Sequence, residues 1–409
     1  MRSTVDQAGI EASGLLSARD AAQRLGVKLD TLYAYVSRGL LRSVAVPGSR
    51  ERHYRAEDVE RFRASRGADR GRETLTPVID SAICLIEGGR FYYRGKDAVR
   101  LAETASLEAA AALLWGEKPA ESLVAPARPP LARRGSLRRG KVAVGANQPS
   151  GLIERCQARL AMLAAEDLAA LDLTRAGIIR TGRTILAELV ASIAATTRGD
   201  DPVHRQLAAS WRLDPAGTDL VRRCLVLLAD HELNASTFVA RCVASTGATP
   251  YAVVSAALSA LSGRRHGGAS ARAEALFREI AQSAEPMPVM AARLARGEDL
   301  PGVGHPLYPE GDPRALAIVE AVAAALPDAG SRIADAAMAA MRLTGQHPNV
   351  DFALGGTVTA LGLPQGSALA LFLVARTVGW IAHAIEQYQT GGLIRPRARY
   401  TGPRPSGRR

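Results

Sequence analysis

At 409 residues the chain exceeds one ordinary hydrophobic core, so two or more domains are expected. A charged share of 22% and a hydrophobic share of 47% fit a globular protein, and an aromatic share of only 4% argues against a β-sandwich and for helices. The net charge is +12, and residues 124–150 and 395–409 each carry six basic residues and no acid, so these two Pro-, Gly- and Ser-rich segments hold the whole excess and read as a solvated loop and a tail.

The opening residues, M-R-S-T-V-D-Q-A-G-I, lack an apolar core and do not read as a signal peptide; 1–13 reads as a flexible tail. Residues 14–66 form the first predicted domain. Ser17 with Asp20 suits a helix start, Gly26 ends that helix, and Asp30 is placed as the cap of a second, T-L-Y-A-Y-V-S-R-G-L-L. A turn with basic residues, V-P-G-S-R-E-R-H-Y-R, suits a wing, and E-D-V-E-R-F opens a further helix at Glu57 and Asp58. This pattern resembles the MerR-type helix-turn-helix domain. The resemblance implies a recognition helix in the major groove, with Lys28, Thr31, Tyr33, Tyr35 and Arg38 facing DNA and Arg50, Arg52 and Tyr54 on the wing. The competing reading is a packing module that no longer binds DNA.

Residues 67–74 read as a polar linker. A hairpin is predicted in A-I-C-L-I-E-G-G-R-F-Y-Y-R-G, turning at Gly88-Gly89. The remainder reads as helical, as in the stripe of apolar residues at 178, 179, 185, 186, 189, 190 and 193. The apolar stretch 358–380 contains Pro364, Gln365 and Arg376 and reads as buried helix, not membrane span. The four cysteines, Cys84, Cys156, Cys224 and Cys242, have no zinc-ligand spacing and read as reduced core thiols of a cytoplasmic protein.

Polar clusters break this apolar background. They are D-H-E-L-N-A-S (230–236), read as interrupting a buried helix, G-R-R-H-G-G-A-S (263–270), G-V-G-H-P-L-Y-P-E-G-D-P-R (302–314), Asp351 in P-N-V-D-F-A-L-G, and Arg376 in a buried helix. No cysteine or second acid joins them, so no metal site is expected, and no G-x-S-x-G or phosphate-binding loop is present. Three histidines, one carboxylate and several arginines suit proton abstraction beside a carbonyl. His204 reads as a surface residue, His347 as a loop residue, and His383 as packed in a helix or a subunit contact.

Over roughly residues 75–402 the chain resembles the citrate synthase family. The resemblance rests on F-Y-Y-R-G-K-D, D-H-E-L-N-A-S, H-G-G-A, G-x-G-H…D-P-R, N-V-D-F-A-L and R-P-R-x-x-Y-T-G in that order. It implies a mainly α fold, with a large domain (75–267 and 364–402), a small domain (268–363), a basic tail (403–409), and homodimers with the active site in the interdomain cleft. By motif, Asp351 would be the base, His266 the donor to the enol oxygen of acetyl-CoA, and His305 the donor to the keto oxygen of oxaloacetate. His231, Asn234, Arg314 and Arg376 would bind oxaloacetate, and Arg395 would reach the partner subunit's site. Gly267 and Gly268 would let the chain pass close to the thioester. No cofactor is implied beyond the two substrates.

Departures exist. The family often continues H-G-G-A with Asn-Glu, whereas Ser270 and Ala271 stand here. A basic residue for CoA phosphates is replaced by Pro309 beside Glu310, and Arg264 and Arg265 are assigned the compensating charge. Sequence does not separate acetyl-CoA from the propionyl-CoA of 2-methylcitrate synthesis, since one methylene discriminates by only ~1–3 kcal/mol. A further alternative is a DNA-binding regulator that uses the synthase domain as a metabolite sensor.

Overall fold

The computed structural model describes residues 15–27, 29–37, 41, 43–45, 52–60, 79–117, 151–196 and 199–403. The chain divides into two compact units, Met1–Ile79 and Asp80–Arg409. The basic segment 124–150 and the linker 67–74 lie outside the described residues.

In the first unit, strand β1 (Leu15–Leu16) leads into helix α1 (Ala18–Leu25). Ser17 Oγ accepts the Asp20 N–H, and Gly26 closes the helix at φ 65°, as its sequence predicts. Helix α2 (Leu29–Ser37) begins two residues earlier than expected, so Asp30 lies inside it and is not its cap. Strands β2 (Val44–Ala45) and β3 (Arg52–Arg55) pair antiparallel, with β1 on the other side of β3. A helix opens at residue 56. Tyr54, assigned to the wing surface, is buried with Ala21, Leu25, Leu32 and Val59, and Tyr35 packs against the same core. Strand alternation alone would place residue 54 on the face of the exposed Arg52, but β3 is the central strand between β1 and β2, and both His53 and Tyr54 are buried. Tyr33 is exposed as predicted, while Lys28, Arg38, Arg50 and the side chain of Thr31 lie outside the described residues.

The second unit starts with the predicted hairpin, β4 (Cys84–Glu87) and β5 (Arg90–Tyr93), extended by β6 (Lys96–Asp97). Helices follow: α3 (Ala98–Thr104), α4 (Leu107–Trp115), α5 (Leu152–Glu166), α6 (Arg175–Ala194), α7 (Val203–Trp211) and α8 (Pro215–Leu228). Then come α9 (Ala235–Ala244), α10 (Pro250–Leu261), α11 (Gly267–Ala281), α12 (Pro286–Ala295), α13 (Pro313–Ala325), α14 (Pro327–Thr344), α15 (Val350–Ala360) and α16 (Ser367–Thr390). The stripe read from 178 to 193 is the buried face of α6.

Helix α16 is apolar on every side because it is surrounded: α4, α6, α8, α9, α10, α11 and α15 all pack on it. It is long enough to cross a membrane, yet 94% of its most apolar window is buried within the fold, as the polar residues in its sequence suggest. Trp115 Nε1–H donates to the Val378 carbonyl at 2.9 Å, satisfying the one polar atom of a wholly buried indole. Cys84, Cys156 and Cys224 are buried free thiols and Cys242 is half-buried. His204, read as a surface residue, is buried on α7, and His383 is buried on α16.

Candidate active site

Helix α8 stops at Leu228, so Asp230, His231 and Glu232 do not interrupt a helix; they form the turn between α8 and α9. The end of α8 is held from outside. Tyr93 donates its hydroxyl to the Val226 carbonyl at 2.9 Å and accepts the Asp230 N–H at 3.2 Å, while Arg376 Nε donates to the Leu228 carbonyl at 2.9 Å. Glu232 takes φ 53°, a strained value for a non-glycine residue, directly beside His231. This turn aims His231 at Tyr308, with Nε2 to hydroxyl at 2.8 Å, and stacks it edge-on to His305 with ring centres 5.4 Å apart.

His305 belongs to a loop that is fastened to the start of α15. The Gly304 N–H bonds to the His347 carbonyl and the Asn349 N–H to the Gly302 carbonyl, both at 2.8 Å. Gly302, at φ 82°, lies so near Phe352 that a Cβ there would be 2.7 Å from its backbone nitrogen. The Leu307 N–H donates to His305 Nδ1 at 3.2 Å, so the ring proton rests on Nε2. His347 sits in the loop before α15, as read.

Asp312 joins Arg314 to the same helix start. Its carboxylate accepts Nε and Nη2 of Arg314 at 2.9 and 2.7 Å and the Val350 N–H at 3.0 Å. Burial alone would raise the Asp312 carboxyl, but Arg314 outweighs it and holds it below its ordinary value. One edge of the Arg314 guanidinium is therefore already used, and only its outer edge remains for an anion.

Asp351 occupies the first turn of α15. Its amide donates to Asn349 Oδ1 at 3.0 Å, and Ser270 Oγ–H donates to Asp351 Oδ1. Burial pushes the carboxyl above its ordinary value, against the Ser270 hydrogen bond and the nearby charges of Arg314 and Arg376. Arg376 lies on α16, 1% exposed, with its guanidinium carbon 4.8 Å above the Phe372 ring. Its Nη2 has no hydrogen-bond partner among the described residues, a costly state for a buried cation.

His266 immediately precedes α11. Its Nε2 lies 2.7 Å from Ser236 Oγ, which also accepts Trp380 Nε1–H at 3.1 Å and donates to Asn234 Oδ1 at 2.9 Å. Burial, then Arg376, push His266 down to about 4, and the same two causes with Arg314 lower His231. His305 is lowered by burial and Arg314. All three imidazoles are neutral at pH 7.

Of the predicted residues, Asp351, His266, His305, His231, Arg314 and Arg376 thus share one electrostatic cluster, and Asn234 joins it through Ser236. Arg264 and Arg265 stand exposed in the turn before α11. The space over Gly267 is filled by the Leu261 carbonyl, 2.6 Å from a built Cβ, so this glycine serves the chain's own tight turn; Gly268 lies 3.1 Å from the Gly263 carbonyl in the same sense. Arg395 is exposed on the segment 391–403, which follows α16 and forms no helix or strand. The sequence reading assigned no role to Tyr308, Ser236, Asp312, Ser270 or Trp380. The first four lie inside the quoted motifs as polar residues next to assigned ones, and Trp380 lies in the stretch A-R-T-V-G-W-I-A-H (375–383) around Arg376.

A helical fold that gathers a half-buried carboxylate, neutral imidazoles and two buried guanidiniums is the class of the citrate synthases. The chain matches the family described as citrate synthase, C-terminal domain, over residues 74–397, and a helix-turn-helix domain family over residues 15–67. It belongs to the citrate synthase family and carries an N-terminal helix-turn-helix domain. Citrate synthase of Haloferax volcanii is 33% identical over 80% of this chain and 93% of its own. The 2-methylcitrate synthase of Mycobacterium tuberculosis is 32% identical over 76% and 84%. The match to citrate synthase 2 of Bacillus subtilis, 38% identical, spans 46% of this chain and about half, 52%, of that protein. Among solved structures, citrate synthase from Thermotoga maritima aligns with a TM-score of 0.64 at 27% identity, covering 83% of this chain and 97% of that one. Citrate synthase from Thermoplasma acidophilum, in a ternary complex with carboxymethyl coenzyme A and oxaloacetate, aligns at 0.65 and 25% identity over the same shares.

Proposed function

We propose that this chain condenses acetyl-CoA with oxaloacetate to citrate and CoA. The observation that carries the reading is the buried cluster of Asp351, three neutral histidines, and two arginines of which Arg376 lacks a partner for Nη2. Asp351 takes a proton from the acetyl methyl group. A thioester α-carbon is far more basic than a carboxylate, and each unit of mismatch costs about 1.4 kcal/mol. Burial of Asp351 narrows that gap from one side. His266 narrows it from the other by donating to the enol oxygen, a kind of contact typically worth ~10²–10³ in rate. His266 Nε2 is engaged with Ser236, whose hydroxyl donates to Asn234 Oδ1, so donation from Nδ1 to the enol oxygen requires that hydroxyl to turn to Nε2 when substrate binds, with Asn234 Oδ1 keeping the Thr237 N–H. His305 donates from Nε2 to the keto oxygen of oxaloacetate as the new bond forms.

Arg376 and the outer edge of Arg314 hold the oxaloacetate carboxylates, with His231 beside them. Closure of the 268–363 segment over the cleft then excludes water. Arg264 and Arg265 meet the CoA phosphates, and Arg395 completes the site of a partner subunit in a homodimer. The reaction uses no resident metal or cofactor, and the free thiols fit a cytoplasmic enzyme.

The decisive assay is release of free CoA from acetyl-CoA and, separately, propionyl-CoA in the presence of oxaloacetate. A similar identity to a 2-methylcitrate synthase makes the propionyl arm necessary. A higher kcat/KM for propionyl-CoA would replace citrate by 2-methylcitrate as product, and no release from either would leave the metabolite-sensor reading. The helix-turn-helix domain supports DNA binding through Tyr33 and Arg52, both exposed, with Lys28, Thr31, Arg38 and Arg50. A gel-shift titration at two salt concentrations tests it: phosphate contacts make affinity fall steeply with salt. Weak binding even at low salt would leave a packing module.

A further inference from the structure

Ser270 is wholly buried on α11, one helical turn after His266, and its hydroxyl donates to Asp351 Oδ1 on α15. The two helices are unusually close there. One turn further along each, a Cβ on Gly355 would lie 2.7 Å from the backbone of Ala273, so glycine alone lets the backbones meet. That approach brings a side chain as short as serine within reach of the carboxylate. Oδ1 is thereby occupied, while Oδ2 makes no hydrogen bond among the described residues. We propose that Ser270 is a positioning residue that fixes the rotation of the Asp351 carboxylate, leaves Oδ2 as the proton-accepting atom, and ties base and His266 to one rigid helix. This assignment rests on the condensation reading given above.

The hydroxyl bonds the ionised carboxylate, so it also restrains the basicity that burial creates. Removing it has two separable effects. The carboxyl becomes harder to ionise, and the carboxylate is free to rotate away from the methyl carbon. The test compares wild type, Ser270→Ala and Ser270→Thr in the full chain. The Asp351 carboxyl is titrated by carbon-13 spectroscopy of aspartate-labelled, substrate-free protein, with the resonance assigned by its loss in Asp351→Asn. In Ser270→Ala its midpoint should rise by about one pH unit, a tenfold change in proton affinity, the scale of a hydrogen bond to a charged group. The acid limb of kcat should move with it, and kcat at its optimum should fall about tenfold with the KM for oxaloacetate unchanged. Ser270→Thr, which keeps the hydroxyl, should restore the midpoint. A midpoint and acid limb unmoved in an active Ser270→Ala enzyme would overturn the assignment of Ser270. Failure of the wild-type chain to release CoA from any acyl-CoA would instead overturn the condensation reading.

Discussion

Replacing Asp351 by asparagine separates basicity from packing. The amide keeps an oxygen for the Ser270 hydroxyl, and the backbone N–H still caps on Asn349. The loss of a positioned base should lower kcat by ~10²–10⁴, about 3–5 kcal/mol on the barrier. Oxaloacetate binding should be unchanged or tighter, because Arg314 and Arg376 remain and one nearby negative charge is gone. Stability should move the other way. Burial raises the carboxyl in the folded state, so the folded protein holds this proton to higher pH than the unfolded chain does. Ionisation then costs stability as pH rises from the unfolded to the folded value, and the penalty is constant above it. Asp351→Asn removes that penalty, so the variant should melt higher than wild type at pH 8, with the gap closing on acidification. CoA release, titration calorimetry with oxaloacetate, and melting at pH 5 and pH 8 give the three readouts. Unchanged turnover would remove Asp351 from the chemistry. A variant that melts lower at pH 8 would refute the argument that burial, not the arginines, dominates the carboxyl.

Arg376→Met should weaken oxaloacetate binding by about 2–5 kcal/mol, the usual loss on truncating one side of a buried charge pair, measured by calorimetry; unchanged affinity would place the carboxylates elsewhere. Arg395→Ala and Asp351→Asn subunits, each inactive alone, should regain part of the activity when mixed, since one site per heterodimer then has both residues. A mixture as inactive as its parents, with subunit exchange confirmed, would rule out a shared site. Gly302→Ala should cost more than about 1 kcal/mol of stability, seen as a lower melting temperature, because φ 82° and the Phe352 backbone both oppose a side chain. It should also lower kcat, by detaching the His305 loop from α15.

Much of this was legible in the sequence, for identifiable reasons. Local signals were sound where a short-range interaction decides the outcome, as with the Ser17 cap, the Gly88-Gly89 turn and the stripe on α6. The polar interruptions pointed to the cluster because buried polar groups need a partner or a use. What failed was side-chain direction at element ends. Tyr35 was read as facing DNA and Tyr54 as a wing residue, yet a small domain has too few apolar residues to leave both outside its core. Asp230–Glu232 were read as interrupting a helix because the apolar run gives no stop signal. The stop comes from Tyr93 and Arg376, 137 and 148 residues away in sequence from their partners. His204 was misplaced for the same reason, since its burial is decided by elements far along the chain.

The arginines explain a feature that the histidines alone do not. A protonated imidazole is the stronger donor, yet three imidazoles here are held neutral, His266 down to about 4. Burial is the first cause in each case, and Arg314 or Arg376 the second. Under the proposed condensation those two cations would bind the dicarboxylate, and they make further positive charge unfavourable nearby. The imidazoles proposed as donors to the two carbonyl oxygens are therefore neutral at pH 7. A neutral donor is also the better match for an enol oxygen, because proton position and hydrogen-bond strength follow the balance of the two basicities. Under the proposed condensation the cluster would couple binding to chemistry: the groups that anchor one substrate would set the protonation of the groups that activate both.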